Sequence, residues 1–306
     1  MKVVIAIDSF KGCMNSMEAG NAAKAGILKV CDAQISVKPL ADGGEGTTEA
    51  LVEGMGGEYV FVEVTGPLGT KRRARYGILG DGRTAVMEMA EAAGIILLKP
   101  EELNPSRATT YGVGEMIMDA VKRGCREFII GIGGSATSEG GVGMLQALGY
   151  EFKTQDGNPI RRGLQDLDCI MAISKENVPK VLKECHFRVA CDVTNPLCGE
   201  NGAVYVYGPQ KGVKEEEKPI FDGMMAHYAD KTQEYKGVDY RMAEGAGAAG
   251  GLGFAFLSYL PNVELKSGID IVLEAVGLEQ EIRDADIVIT GEGRLDSQTA
   301  MGKAPV

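Results

Sequence analysis

Short, largely apolar runs recur along the chain and predict buried strands. They cover residues 3–7, 35–40, 60–64, 128–132, 188–190 and 286–290. Runs of this kind are typical of strands buried on both faces, as in a parallel sheet flanked by helices. Patterns with a helical period lie between several of them, at 16–30, 47–54, 111–123 and 141–148. The sequence therefore predicts an α/β fold.

Residues 66–82 depart from this alternation of strands and helices. The segment (GPLGTKRRARYGILGDG) is rich in charge and glycine, and it predicts a hairpin or a crossover. The 306 residues of the chain correspond to about two domains of ordinary size. We therefore expect a second domain to begin in this segment.

The charge balance and the cysteines limit the partners and the compartment. Against 32 basic residues stand 43 acidic ones, and the net charge of -11 repels a nucleic-acid backbone. No run approaches the roughly 20 apolar residues of a membrane helix, so we expect neither a nucleic-acid nor a membrane partner.

The seven cysteines form no zinc-type pair, which fits a protein of the reducing cytoplasm. Because the chain has only two histidines, a carboxylate is the expected general base.

Glycine-rich loops follow most of the predicted strands. Glycine occupies 43 positions, about twice its usual share. In an open α/β sheet, ligands bind beyond the carboxyl ends of the strands, where loops and helix N-termini collect. The loops at 8–12, 42–47, 131–141, 245–253 and 290–296 are therefore candidates for one site. The small residues of the fourth loop alternatively serve close helix packing.

The first loop, DSFKG, combines an acid with two donors. Ser9 and Lys11 are suited to a phosphate or a carboxylate, and Asp8 is suited to Mg²⁺ through water. Asp-Ser is also an ordinary turn pair, which is the alternative interpretation of this loop.

The second loop, DGGEGT, carries two acids beside exposed backbone donors. Asp42 and Glu45 flank the N–H groups of Gly43 and Gly44, a combination that suits a cation carrying a polyphosphate. Thr47 alternatively has the ordinary task of capping the next helix.

The third loop, GIGGSATSEGG, offers a dense row of N–H donors. With the side chains of Ser135 and Thr137 beside Gly133 and Gly134, it favours a phosphate site. Its opening also matches the dinucleotide pattern GxGxx(G/A), which leaves an NAD-dependent dehydrogenase as an alternative. No acid ends a second strand about 20 residues later, where a ribose contact requires one, and this weighs against that alternative.

Acids also follow the last two predicted strands. Asp192 is a candidate general base, or it alternatively caps its own turn. Arg294 lies between Glu292 and Asp296, and its guanidinium fork is suited to a carboxylate or a phosphate. A plain salt-bridged loop is the alternative there.

The chain has no Walker A, protein-kinase or nucleophile-elbow motif, but eight ordered motifs resemble the bacterial type I glycerate kinase family. They are IDSFKG, ADGGEGT, NPSRATTYGVGE, GIGGSATSEGG, CDVTNPLCG, GPQKG, EGAGAAGGLGF and TGEGRLDSQT. The resemblance spans essentially the whole chain. Glu139 stands where the family more often has Asp, so a carboxylate is kept.

The resemblance implies both a fold and an activity. The expected fold is a Rossmann-like parallel-sheet domain (1–65 plus 265–306) with a second α/β domain (66–264) inserted into it and the site in the cleft. The expected reaction is phosphorylation of D-glycerate by ATP with Mg²⁺, usually to 2-phosphoglycerate. A non-catalytic nucleotide-sensing protein is the alternative on the same fold. Assembly into a homo-oligomer is left open.

Roles for individual residues follow from combining the loops with the resemblance. Asp192 is the expected base, and Arg294 is expected to hold the glycerate carboxylate. The remaining candidates fall into two groups, for Mg²⁺ (Asp42, Glu45 and Glu292) and for phosphate or substrate (Ser9, Lys11, Gly43, Gly44, Gly133, Gly134, Ser135 and Thr137). Asp8 and Asp296 are held in reserve.

The end of the sequence carries one further expectation. The predicted strand 286–290 and its loop are followed by no helix or strand pattern before Val306. A doubly wound sheet normally continues with a helix that covers one face, and members of the family likewise continue. We therefore expect the natural chain to extend beyond Val306.

Overall fold

The structure, a computed structural model, describes residues 1–10 and 12–294. These residues form eleven strands and ten α-helices. The strands are β1 (Lys2–Ile7), β2 (Gln34–Pro39), β3 (Glu58–Thr65), β4 (Lys71–Ile78), β5 (Thr84–Glu88), β6 (Glu127–Gly131), β7 (Glu151–Lys153), β8 (Ala172–Ser174), β9 (His186–Ala190), β10 (Val263–Lys266) and β11 (Ile287–Gly291). The helices are α1 (Ser16–Ile27), α2 (Thr47–Gly54), α3 (Ala90–Ala93), α4 (Tyr111–Lys122), α5 (Val142–Ala147), α6 (Ala203–Tyr207), α7 (Lys218–Lys236), α8 (Ala248–Tyr259), α9 (Gly268–Val276) and α10 (Leu278–Ile282).

The smaller sheet joins strands from the two ends of the described chain. Its order is β11-β1-β2, and both pairings are parallel. Ile5 of the central strand is fully buried between Ile289 and Val37. The uninterrupted apolar run at 3–7 thus forms a strand covered on both faces, as the sequence predicts.

The larger sheet has six strands in the order β10-β9-β6-β5-β4-β3. The pairings from β10 to β5 are parallel, whereas β4 pairs antiparallel with both β5 and β3. The segment 66–82 therefore contains β4 and the turns of two hairpins, which confirms the hairpin prediction. The parallel strands and their helices confirm the predicted α/β class.

The two sheets bear on the expected domain boundaries. The smaller sheet uses residues 2–39 and 287–291, and the larger sheet uses residues 58–266. Strand β3 lies in the larger sheet, whereas the predicted domain boundary after residue 65 assigns β3 to the domain formed by the two chain ends. The boundaries themselves stay a prediction.

Local sequence signals explain where the helices begin and end. Helix α1 starts with a capping box, in which Asn15 and Glu18 each accept the other's backbone N–H. The helix ends at Ile27, before the predicted end at Val30, because Val30 is 83% exposed and has no core to join. Helix α7 ends at Lys236, because the next residue, Gly237, adopts a left-handed φ of 76°.

The carboxyl ends of the parallel strands from both sheets meet at one region. The N–H of Asp8 donates to the carbonyl of Gly291, which joins the ends of β1 and β11. A Cβ on Gly131, the last residue of β6, would lie 2.6 Å from the carbonyl oxygen of Gly43 in the loop after β2. The smaller and larger sheets therefore place their loops side by side, as expected for a ligand site in an α/β fold.

Candidate active site

Two adjoining cavities occupy this meeting point of the loops. The larger, which we call the cleft, has a volume of 780 Å³, and the smaller, the inner pocket, has a volume of 420 Å³. They share four glycines from two of the predicted loops, namely Gly43, Gly44, Gly133 and Gly134. The sequence-predicted loops after β2 and β6 are thus brought together.

The loop after β2 is fixed by main-chain packing. Gly43 has a φ of 83°, and a Cβ there would lie 2.5 Å from the Cα of Gly268 and 2.7 Å from the Cβ of Ala190. Both the backbone conformation and the space therefore require glycine. The carboxylate of Asp42 accepts a 3.0 Å hydrogen bond from the N–H of Gly44, which holds the acid at the wall of the inner pocket.

The loop after β6 is exposed at its start and buried further on. Gly133 and Gly134 are exposed and line both cavities, and Ser135 lines the inner pocket. Thr137 is fully buried, which does not fit its predicted contact with phosphate. Its carbonyl instead accepts a hydrogen bond from Lys211. Only residues 133–135 of this loop are therefore placed to contact a phosphate.

A buried carboxylate anchors the far end of this loop. Glu139 is fully buried and accepts hydrogen bonds from the N–H groups of Thr110 (2.8 Å), Gly143 (2.9 Å) and Gly163 (3.1 Å). Burial raises its pKa, and these donors act in the opposite direction. Glu139 therefore joins three segments that are distant in sequence and holds the loop beneath the cleft.

Asp192 lies at the end of β9, in the wall of the inner pocket. Its Oδ1 accepts a 3.0 Å hydrogen bond from the N–H of Gly268, at the start of α9. It therefore does not simply cap its own turn. Burial raises the pKa of this carboxyl, and the negative charge of Asp42 raises it further, while the Gly268 bond lowers it. A carboxylate with a raised pKa beside a pocket is suited to proton abstraction.

Lys211 belongs to the same pocket and was not among the predicted site residues. It ends a short 3₁₀ helix, Pro209–Lys211, and is 2% exposed. Its Nζ donates to Ser135 Oγ at 2.8 Å and to the carbonyl of Thr137 at 2.6 Å. Burial lowers the pKa of its ammonium to about 7. The sequence signal, GPQKG, reads locally as a turn, and only the motif resemblance marked it.

The hairpin of the larger sheet contributes further side chains that the sequence analysis missed. Arg72 and Arg75 of β4 line the cleft, together with Glu88 at the end of β5. Arg75 forms an ion pair with Glu91 at 3.3 Å. Burial raises the pKa of Glu88, whose carboxylate accepts the N–H of Thr48. The charged run KRRAR was the available signal in the sequence.

The first and last loops contribute unequally. Asp8 and Ser9 line the cleft, whereas Lys11 lies outside the described residues. Glu292 and Arg294 follow β11 and belong to neither cavity wall within the described part of the chain. Asp296 also lies outside the described residues.

The acids around the cleft bear on the predicted metal site. Glu45 is exposed and lines the cleft, and Asp42 lines the adjoining inner pocket. Within 1–10 and 12–294, no three carboxylate, histidine or cysteine side chains stand together as a metal site. Mg²⁺ is commonly held by one or two carboxylates together with substrate phosphates. Asp42 and Glu45 fit such a shared site.

The helices of the described segments also bear on membrane association. None of them combines the length and the apolar character needed to cross a bilayer.

Comparisons with known proteins agree with the fold and the motifs. The model of the glycerate kinase family matches residues 3–306. A glycerate kinase of Haemophilus influenzae is 47% identical over 307 residues, covering 100% of this chain and 81% of the relative. A glycerate 2-kinase of Escherichia coli is also 47% identical over 307 residues, with coverage of 100% and 80%.

A solved structure adds a comparison in three dimensions. The crystal structure of a protein assigned as glycerate kinase 2 from Salmonella typhimurium LT2 superposes with a TM-score of 0.96. Its sequence is 46% identical, and the match covers 100% of this chain and 82% of that one. None of these three relatives is described as a dehydrogenase or a sensor. The chain therefore belongs to the glycerate kinase family and is a kinase.

Proposed function

We propose that this kinase transfers the γ-phosphate of ATP to a hydroxyl of D-glycerate, giving 2-phosphoglycerate, and that the reaction takes place in the cleft and its inner pocket. One observation carries the proposal. The candidate base Asp192, the acid Asp42 and the glycine N–H groups at 133–134 line a single 420 Å³ pocket. Phosphoryl transfer needs little more than positioning, donors around the phosphate and a base for the attacking hydroxyl.

Under this proposal, the described residues would supply each of these requirements. The N–H groups of Gly133 and Gly134, with the Ser135 hydroxyl, would bind the terminal phosphate. Asp192 would accept the proton of the glycerate hydroxyl as the new O–P bond forms and the bond to ADP breaks. Burial and the negative charge of Asp42 raise the pKa of this carboxyl, which makes the carboxylate a stronger base.

Two further contacts complete the proposed site. Asp42 and Glu45 would hold Mg²⁺ together with the nucleotide phosphates, and the bound ion would offset negative charge on the phosphate oxygens. Arg294 follows β11, outside both cavity walls, and its planar fork remains the proposed ligand of the glycerate carboxylate. Gly43, Gly44 and Ser9 remain proposed nucleotide contacts on the cleft side.

Product analysis tests the proposal directly. The protein is incubated with MgATP and D-glycerate, and the products are followed by phosphorus NMR and by ADP release. We expect ADP and 2-phosphoglycerate in equal amounts, and no ADP when glycerate is left out. Turnover of NAD(P)H without ADP, or nucleotide binding without transfer to glycerate, would contradict the proposal.

A further inference from the structure

Lys211 is a buried lysine without a carboxylate partner among residues 1–10 and 12–294. Within the described part of the chain, its Nζ has no ion pair, and its only acceptors are Ser135 Oγ and the carbonyl of Thr137. An ammonium carries three N–H groups, whereas a neutral amine carries two. The two acceptors therefore match the neutral amine and leave the third position open.

The described residues around Lys211 include two carboxylates in the pocket wall, but neither is hydrogen-bonded to its Nζ. The titratable groups that line the same pocket are Asp42, Cys191, Asp192 and Tyr207, and Tyr205 lies on the adjacent helix α6. The pKa of Lys211 is lowered by burial alone, and none of these groups shifts it. A buried charge is costly unless it is paired. Joining two loops by hydrogen bonds does not require a buried ammonium, because a neutral side-chain donor can do so at a lower desolvation cost.

The loop held by Lys211 is the one with exposed glycine donors. Ser135 directly follows Gly133 and Gly134, and all three line the inner pocket with Lys211 itself. A terminal phosphate on this loop would bring negative charge to a low-dielectric environment, where a nearby cation interacts strongly with it. The phosphate of the proposed reaction would thus supply a negative charge with which Lys211 can pair.

We propose that Lys211 supplies the positive charge for the terminal phosphate bound at residues 133–135, and that it takes up a proton from solvent when this phosphate binds. The inference rests on the proposed function. The proton forms the third N–H bond of the ammonium, the one that the loop does not engage. In the free protein at pH 8, the same lysine is mostly a neutral amine that positions the loop.

Calorimetry with a non-hydrolysable ATP analogue and Mg²⁺ tests this inference. Titrations at pH 8 in buffers of different ionisation enthalpy give the number of protons taken up. A pKa of about 7 predicts uptake of about 0.9 proton at pH 8 and about 0.1 at pH 6. In Lys211→Met we expect the uptake to vanish and the affinity to fall at least about tenfold, the scale of one charged hydrogen bond. Lys183→Met, an exposed lysine in another 3₁₀ helix, is the matched control and should behave as the wild type.

The outcomes separate this inference from the proposed function. Binding without proton uptake, or Lys211→Met with wild-type affinity and uptake, would overturn the role of Lys211 and leave the kinase proposal standing. Failure of the wild-type protein to bind the analogue at all would overturn both. If Lys211→Met melts early, the difference in uptake between pH 6 and pH 8 in the wild type decides the question without it.

Discussion

The carboxylate of Asp192 accepts a 3.0 Å hydrogen bond from the backbone N–H of Gly268, 76 positions further along the chain. This bond joins the end of β9 to the first turn of α9. It fixes one oxygen of the carboxylate and leaves the other for the inner pocket. A base held in this way needs no reorganisation before it accepts a proton.

We expect Asp192→Asn to lower kcat by about 10² to 10⁴, the usual contribution of a general base. The affinity for nucleotide should change little, because the amide oxygen still accepts the Gly268 bond. Steady-state kinetics and calorimetry measure the two quantities. Asp222→Asn is the matched control, since Asp222 also accepts a glycine N–H, that of Gly199, and its pKa is also raised by burial. Near-normal turnover in Asp192→Asn would assign the base elsewhere.

The guanidinium of Arg294 leads to a prediction about substrate recognition. Arg294→Lys should raise the KM for glycerate about tenfold, because a point charge does not reproduce a two-bond grip on a carboxylate. The KM for ATP should change far less. Arg283→Lys is the control, as Arg283 is an exposed arginine paired with Glu279 on α10. A change confined to ATP would move Arg294 to the phosphate side of the site.

The packing of Gly43 leads to a prediction about stability. Gly43→Ala should lower the free energy of unfolding by about 2–4 kcal/mol, since a strained φ and an overpacked Cβ act together, and it should reduce activity. Gly82→Ala is the control, because Gly82 also has a positive φ, of 66°, but no atom within 4 Å of the added carbon. It should cost about 1 kcal/mol and leave turnover unchanged. If urea unfolding shows the same loss of free energy of unfolding in both variants, the added Cβ at Gly43 does not clash with Gly268 as predicted.

Lys211 makes stability depend on pH in a defined direction. Its pKa is about 7 in the folded protein and 10.5 in the absence of burial. Between these values the unfolded chain binds more protons, so the free energy of unfolding rises with pH. From pH 7 to pH 9 the wild type should gain about 2 kcal/mol over Lys211→Met. Urea unfolding at both pH values measures this, and a constant difference between the two proteins would rule it out.

The sequence predicted those strands whose burial follows from their own composition. β1 and β6 are apolar after their first residue, and each was placed within one residue of its observed bounds. β9 (HFRVA) is apolar at three of its five positions and was placed within two residues. β4 was recognised only as part of a hairpin, because its KRRAR segment is charged. Pairing on both sides, with β3 and β5, makes it a strand, and such long-range pairing leaves no local pattern.

The residues of the candidate site also fall into those that could be predicted from the sequence and those that could not. Asp42 and Asp192 follow apolar runs directly, so their position at a strand end could be predicted from the sequence alone. Lys211 could not, since lysine in a glycine-proline turn is ordinarily exposed. Its burial depends on the loop 131–141, about 75 residues earlier in the sequence, folding over it. The fold brings these segments together, and the local sequence contains no pattern that predicts such a contact.

The contacts of Gly43 with Gly131 and Gly268 are made by the main chain alone. The frame of the site is therefore set at positions without side chains. Among the side chains that line the cavities, Asp42, Asp192 and Lys211 also bind the main chain of these loops, whereas other lining side chains, such as that of Arg72, project from the frame. A substitution at such a projecting position can thus alter which small acid is accepted while the spacing between the two sheets stays the same. This makes the site a suitable starting point for changing substrate preference by directed evolution, with the three glycines left untouched.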